Sequence, residues 1–437
     1  MAESSSTRPT TRRNRFRGVF GAFLLCGLCL ASTASLLNAQ ASVPPTASEA
    51  PAGFDRQTNG QITQARFVEV EEIFSKRETI AGGVGPVYNA VSCADCHENP
   101  VVGGNSQVFE VRAGHLSGST FVAHPGGSLV HARAIDAAIQ ERVLDGNEVR
   151  ALRASTSVLG LGFVEAIPDD TLLRIANAQP SQSSGFIHGQ ALAVPIAEDP
   201  GRRRTGRFGW KAQQASLLSL AGDEYVNQVG ITTPLFPIEN TSNGKSVAAF
   251  DDVPGPNQPN APDDGDNDDL EAFALFMRST KAPPRDAALA ATPAAQAGSR
   301  TFTQIGCAIC HVASMTTAPP GTVLNANVFA QTQEAETNVV SAALGNKTIH
   351  PYSDFLLHDI ATGDGIVQGG GPSTRNKFRT IPLWGLRTRS RYMHDGLSFT
   401  LNEAILRHGG EATLVSLNYR FLSTTERNSL LTFLRSL

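Results

Sequence analysis

The chain has 437 residues, 41% hydrophobic and 17% charged, which provides apolar material for a real core and length for two or three domains. Its formal net charge is -4 and its pI is near 6.2. No basic field is available to neutralise phosphates, so nucleic acid is excluded as an expected partner.

Residues 1–17 depart from that balance, with Arg8, Arg12, Arg13, Arg15 and Arg17 against the single acid Glu3. The apolar run GVFGAFLLCGLCLASTASLL follows, and then Ala39-Gln40-Ala41. A basic arm, an apolar stretch and an A-x-A site read as a secretory signal peptide over 1–41, cleaved after Ala41. The expected location is therefore exported, periplasmic. An uncleaved anchor is the competing reading, because the run is roughly the 20 residues that span a bilayer. Residues 42–64 are rich in Ala, Ser, Pro, Thr and Gln and read as a flexible lead-in.

A helix is expected in ITQARFVEVEEIFSKRE, with Phe67, Val70 and Ile73 on its apolar face. The Gly-rich GGVGP leads from it to SCADCH, which holds Cys93, Cys96 and His97. Residues 98–131 are rich in turn formers and short strands. IDAAIQERVLDGNEVRALRAS reads as a helix, and IPDDTLLRIANAQ as another whose start is marked by Pro168 and two aspartates.

The stretch from 250 to 269 is a linker rich in Pro, Asp and Asn. Asp264, Asp266 and Asp268 alternate like the opening of a calcium loop. The sixth position would be Asp269 and the twelfth Leu275, where glycine and glutamate are wanted, so a solvated linker is favoured over calcium. The helix DLEAFALFMRST closes at Ala282-Pro283-Pro284, which sets a domain boundary near 284. Beyond it come GCAICH, with Cys307, Cys310 and His311, and a last helix, STTERNSLLTFLRSL, with Ser423 and Glu426 in capping-box spacing.

Cysteines at i and i+3 with histidine at i+4 lie on one helical face. One turn can then hold both vinyl groups of a haem as thioethers while the imidazole ligates the iron. Disulfides and zinc are the alternatives in an exported chain. Neither explains a histidine directly after both pairs, and zinc knuckles normally lie closer together than these motifs. Two covalently bound haem c groups are expected, one in each of two domains, 65–284 and 285–437. The fold class is mainly α: two cytochrome c-type haem domains with extra loops and short strands.

The sixth iron position separates carriers from enzymes. In SFTLNEAILRHGGEA, Thr400 and Glu403 form a capping box and Gly409 offers a stop. Leu401, Ala404, Ile405 and His408 make one apolar stripe between them. The stripe leaves two readings for His408, a core histidine and an iron ligand.

SRYMHDG followed by HGGEA and preceded by IPLWGL resembles the di-haem oxidoreductases related to bacterial cytochrome c peroxidase and MauG. The likeness continues through GVGPVYNAVSCADCH, GLGFVEAIPDD, GRFGWKA, VGITTPLFP and HPYSDFLLHDI, over about 66–437. It implies that His408, fourteen residues after His394 of the MHDG motif, is the sixth ligand of the C-terminal haem. It implies that Trp210, opening WKAQQASL, relays electrons between the haems, although Ala215 comes later than the family pattern has it. The family sets an acid just before Val-Gly in the pocket of the N-terminal haem. Gln228 stands there in this chain, and an amide hydrogen-bonds but cannot act as a base. Leu220 occupies a position where a glutamine is common, and Glu224 or Glu165 could take over the acid's part. For the sixth ligand of the N-terminal haem the choice is His115, eighteen residues after His97, with His124, His131 or an open position as alternatives. The implied activity is reduction of hydrogen peroxide at the N-terminal haem, with electrons entering at the C-terminal haem from a small cytochrome or cupredoxin. The rival readings are a non-catalytic electron carrier and a MauG-like, oxygenase-type enzyme.

Overall fold

The computed structural model describes residues 46–253, 255, 267–325 and 338–437. The expected signal peptide, Asp264, Asp266 and the side chain of Asp268 lie outside the described residues. No helix among the described residues is long and apolar enough to cross a membrane.

Helix α1 (Gln64–Ser75) starts at Thr63, whose hydroxyl accepts from the Arg66 N–H. It buries Phe67, Val70 and Phe74, while Ile73, expected on that face, lies at its edge. A short α2 (Leu161–Glu165) precedes α3 (Asp169–Gln182), which has Asp169 and Asp170 in its first turn as expected. Helix α4 (Leu217–Glu224) runs without a break into a π-helical turn, Tyr225–Val229, and α5 (Asn267–Ser279) packs on α1 and α4. Then come α6 (Ala287–Ala290), α7 (Pro293–Gln304), α8 (Leu401–Leu406), α9 (Thr413–Phe421) and α10 (Thr424–Arg435). Both expected capping boxes form, Thr400–Glu403 on α8 and Ser423–Glu426 on α10.

Two helix pairs organise the cores. In the first, Phe74 of α1 meets Phe276 and Phe273 of α5 at ring-centre distances of 4.6 and 6.1 Å. In the second, Phe302 of α7 meets Phe433 of α10 at 5.3 Å. The first core also takes in Met315, Leu344, Ile349, Phe355 and Trp384, so residues beyond 284 complete the packing around α1 and α5.

Two sequence expectations are corrected. The segment 135–155 is not a helix. A 3-10 turn, Ala137–Ile139, is followed by the strand Val149–Ala154, which pairs antiparallel along Phe109–Ser117. A neighbouring strand satisfies the backbone there and overrides local helix propensity. Strands Thr120–Ala123 and Leu129–Val130 also pair with Phe109–Ser117, which makes a four-stranded sheet in a fold expected to be mainly α. The lead-in is bonded from Ser48 onward: Ser48–Glu49 pairs in parallel with residues 347–348, and the Asn59 amide donates to the Arg278 and Thr280 carbonyls at 2.7 and 3.0 Å. Composition argued for mobility, but the backbone partners lie almost three hundred residues away in sequence.

Gly298 allows α7 to approach α10 closely, since a Cβ there would lie 2.0 Å from the Ser429 carbonyl oxygen. Backbone cannot move aside as a side-chain end can. Gly298→Ala is therefore expected to lower stability by about 1–3 kcal/mol. Thermal unfolding followed by circular dichroism checks this, and Ser429→Ala in the same background should give no relief.

Candidate functional site: two histidine-lined cavities joined by a tryptophan

Each C-x-x-C-H motif folds as a 3-10 turn, Cys93–Asp95 and Cys307–Ile309, at the end of a helix-pair crossing. The two surroundings repeat. Phe74 lies 6.3 Å from His97 at 53°, and Phe302 lies 6.2 Å from His311 at the same angle. Burial lowers both imidazoles to about 4, so each is neutral and keeps a lone pair for a metal. None of the four cysteines is in a disulfide; burial raises all four thiols, Cys96 to about 11 and Cys307 to about 12.

The larger cavity, of about 710 Å³, lies against Cys307, Cys310 and His311. Leu401, Ala404, Ile405 and His408, the stripe seen in the sequence, all line it. Helix α8 ends before His408, whose N–H still bonds to the Ile405 carbonyl at 3.1 Å. His311 and His408 face each other with ring centres 6.4 Å apart. Two imidazoles sharing one metal at about 2 Å per bond have ring centres roughly 6 Å apart. Each Nδ1 is held by a carbonyl, His311 by Tyr352 at 3.0 Å and His408 by Ala404 at 2.8 Å, which leaves both Nε2 atoms for the metal.

The second, narrower cavity lies against Cys93, Cys96 and His97. Phe74, Val158, Leu161, Phe273 and Met277 supply its apolar lining. Its polar lining includes Asn89, Glu110, Arg112, Arg153, Glu224 and Gln228, of which Asn89, Gln228, Glu110 and Arg112 form a hydrogen-bonded chain. Asn89 donates to Gln228 Oε1 at 2.8 Å, Gln228 donates to Glu110 Oε2 at 3.1 Å, and Arg112 donates to Glu110 at 2.6 and 3.1 Å. Burial, with Asp223 and Glu110 nearby, raises Glu224 to about 8. Glu110 is held below the usual carboxylate range by Arg112 and Arg153 in spite of its burial.

The other candidate histidines are not in this cavity. His115 pairs with Val122 near the end of its strand, out of phase with Glu110 and Arg112, and lines neither cavity. His124 Nε2 meets the Arg142 carbonyl at 3.1 Å. His131 is tied to Glu141 at 2.7 Å and to the Asn227 carbonyl at 3.1 Å, which anchors the π turn that carries Gln228. Glu165 is fully buried and bound to Arg278 at 2.6 and 2.9 Å, so it braces α2 against α5 and does not line the cavity.

Trp210 lines both cavities. Its indole N–H donates to the Ala154 carbonyl at 2.8 Å, and its ring meets Phe378 and His394 edge-on at 5.8 and 6.1 Å. His394 is stacked on Phe378 at 3.8 Å and bonds through Nε2 to the Thr362 carbonyl at 2.6 Å.

Arg379 and Arg389 also line both cavities, and the sequence offered no signal for them. Among the described residues neither reaches a carboxylate: Arg379 donates to the Gly209 carbonyl and Arg389 to the Pro382 carbonyl, while Arg389 Nε is buried without a partner. Burial lowers both guanidiniums to about 10. Cations in the cavity wall without counter-ions among the described residues, Arg379 buried and Arg389 half-buried, fit the carboxylates that a haem carries. With neutral imidazoles and half-buried, unbridged cysteines at both turns, the residues present fit two haem groups.

The family described as "Di-haem oxidoreductase, putative peroxidase" matches residues 131–437, a span that holds the second haem motif, Trp210, Gln228, His394 and His408. Among solved structures, the chain is similar to one titled as Kuenenia stuttgartiensis hydrazine synthase pressurised with 20 bar xenon, at 13% identity over 90% of each chain, with a TM-score of 0.37. It is also similar to a MauG-like protein associated with microbial copper homeostasis, at 16% identity over 91% of this chain and 94% of that one, with a TM-score of 0.38. No curated protein matches the chain. The family match covers well over half of the sequence, and the chain belongs to the di-haem oxidoreductases.

Proposed function

We propose that the protein is an exported di-haem c-type cytochrome that reduces hydrogen peroxide, with electrons entering at the His311 cavity and peroxide reacting at the His97 cavity. The observation that carries this reading is the difference between the two cavities. His311 is faced by a second histidine at 6.4 Å, whereas among the described residues no second histidine lines the cavity of His97, which is lined instead by carboxylates, arginines and amides. A closed pair of imidazoles suits electron storage, and an unligated position beside proton-transferring groups suits a substrate.

The two haems, when bound, supply one-electron storage on one side and an oxygen-binding iron on the other. Cys93, Cys96, Cys307 and Cys310 would hold them covalently, His97 and His311 would be the proximal ligands, and His408 would close the second site. Arg379 and Arg389 would receive haem carboxylates. Trp210 spans the wall between the cavities, and its bond to Ala154 keeps the ring in place. Glu224 would handle the substrate's protons, with Gln228 beside it as a hydrogen-bonding group. A small redox protein, a cytochrome or cupredoxin, would dock over α9. That helix exposes Leu414, Leu417 and Phe421, the last 85% exposed, while its Val415 and Ser416 line the His311 cavity.

The deciding test is stopped-flow absorbance of the half-reduced, haem-loaded protein mixed with hydrogen peroxide. Rapid oxidation of both haems is expected, followed by turnover once donor is added. Two stably low-spin haems that do not react would leave an electron carrier. His408→Ala should turn one of the two haems high-spin while haem content stays constant, as read by electron paramagnetic resonance. Trp210→Phe should slow electron transfer between the haems by about tenfold or more, about 1.4 kcal/mol in barrier, with both haem spectra unchanged.

A further inference from the structure

Gln228 stands where a proton-accepting side chain would be useful, and an amide cannot take that part. The chain folds so that a carboxylate from another element reaches the same place. Glu110 lies 118 residues upstream, on the strand Phe109–Ser117, and it accepts the Gln228 N–H at 3.1 Å.

The direction of that bond is fixed from outside the site. The Ala132 backbone N–H donates to Asn89 Oδ1 at 2.8 Å, so the Asn89 amide nitrogen points to Gln228 Oε1, also at 2.8 Å. A backbone N–H cannot reverse its role, so neither amide can flip without losing a bond. Gln228 must therefore offer its N–H to Glu110, which answers as an acceptor. Arg112 holds the same carboxylate from its own strand, and Arg112 Nη1 is in turn fixed by Ser128 Oγ at 3.1 Å.

The charged groups around Glu110 come from three elements. Arg112 is on its own strand, Arg153 is its register partner on the neighbouring strand, and Asp223 and Glu224 are on α4. The arginines keep Glu110 ionised, whereas burial, Asp223 and Glu110 itself keep Glu224 protonated up to about pH 8. One cavity thus presents a base and an acid at neutral pH, a division of roles set by surroundings rather than residue type.

We propose that Glu110 is the catalytic base of the His97 cavity, with Gln228 as the positioning residue that aims its carboxylate. This rests on the peroxide-reducing reading above. In the overall change, hydrogen peroxide takes up two electrons and two protons, the O–O bond breaks, and two waters leave. The electrons come from the external one-electron redox protein by way of the two haems. Glu110 takes the proton from the peroxide oxygen nearer His97 and gives it to the farther oxygen, which departs as water. Glu224 and solvent supply the two protons that complete the second water, and Glu224 is reprotonated from solvent.

Cyanide binding to the fully oxidised, haem-loaded protein tests this without turnover, because neutral hydrogen cyanide must lose its proton before it binds iron. Glu110→Gln should slow cyanide association at pH 7 by about a hundredfold or more. The wild-type rate should hold steady as pH falls towards 5, while the variant's rate should fall with the supply of free cyanide ion. Gln228→Met removes a donor that stabilises the Glu110 carboxylate, so it should move the wild-type pH midpoint upward. Glu110→Asp, which keeps the carboxylate, should recover part of the rate and guards against misfolding of the glutamine variant, with haem content and circular dichroism read alongside. A wild-type protein that binds neither cyanide nor peroxide would defeat the enzyme reading itself. A wild-type protein that binds both, with Glu110→Gln matching it in rate and pH profile, would defeat only the assignment of Glu110.

Discussion

The fold depends on presenting a neutral imidazole at the floor of each cavity. A short turn that carries two cysteines and a histidine has no apolar face of its own, so a helix pair must supply the rigidity. It does so twice, with Phe74 against α5 and Phe302 against α10, each aromatic ring resting on its histidine at the same angle. Because the environment is dry, the imidazoles stay uncharged and available to a metal. The close approach at Gly298 lets α7 meet α10, and the buried brace between Glu165 and Arg278 ties α2 to α5.

What distinguishes the two sites is what comes from the opposite side. On one, a helix ends just before His408 and delivers a second imidazole. On the other, a β-sheet and a π turn bring carboxylates, arginines and amides. The π turn adds a residue to the helix that carries Gln228, a common device for re-aiming a side chain, and His131 with Glu141 pins it in place. Among the described residues no other four-stranded sheet is formed, and this one makes the two sites chemically unequal.

Between the sites lies a wall of shared residues. Trp210, Arg379 and Arg389 border both cavities, so the proposed electron path and the proposed partners of the haem carboxylates occupy the same strip of protein. The two arginines lack counter-ions among the described residues, a costly arrangement for a protein interior unless a ligand completes it.

The sequence by itself determined what is encoded locally. Two C-x-x-C-H turns, the helices around them, two capping boxes and the stripe ending in His408 all depend on neighbours within a few residues. The cavity residues it missed depend on long-range pairing. Glu110 and Arg112 share one face of a strand two residues apart, a faint signal that means little until Gln228 arrives from 118 positions away. Val149–Ala154 looked helical because propensity is local, and it became a strand because Phe109–Ser117 lay alongside to satisfy its backbone. His115 sat at a plausible spacing, but strand pairing carried it away from the cavity. Sequence decided which atoms can bind a haem; tertiary structure decided which charged groups surround each one, because burial and charge pairing exist only once distant segments meet.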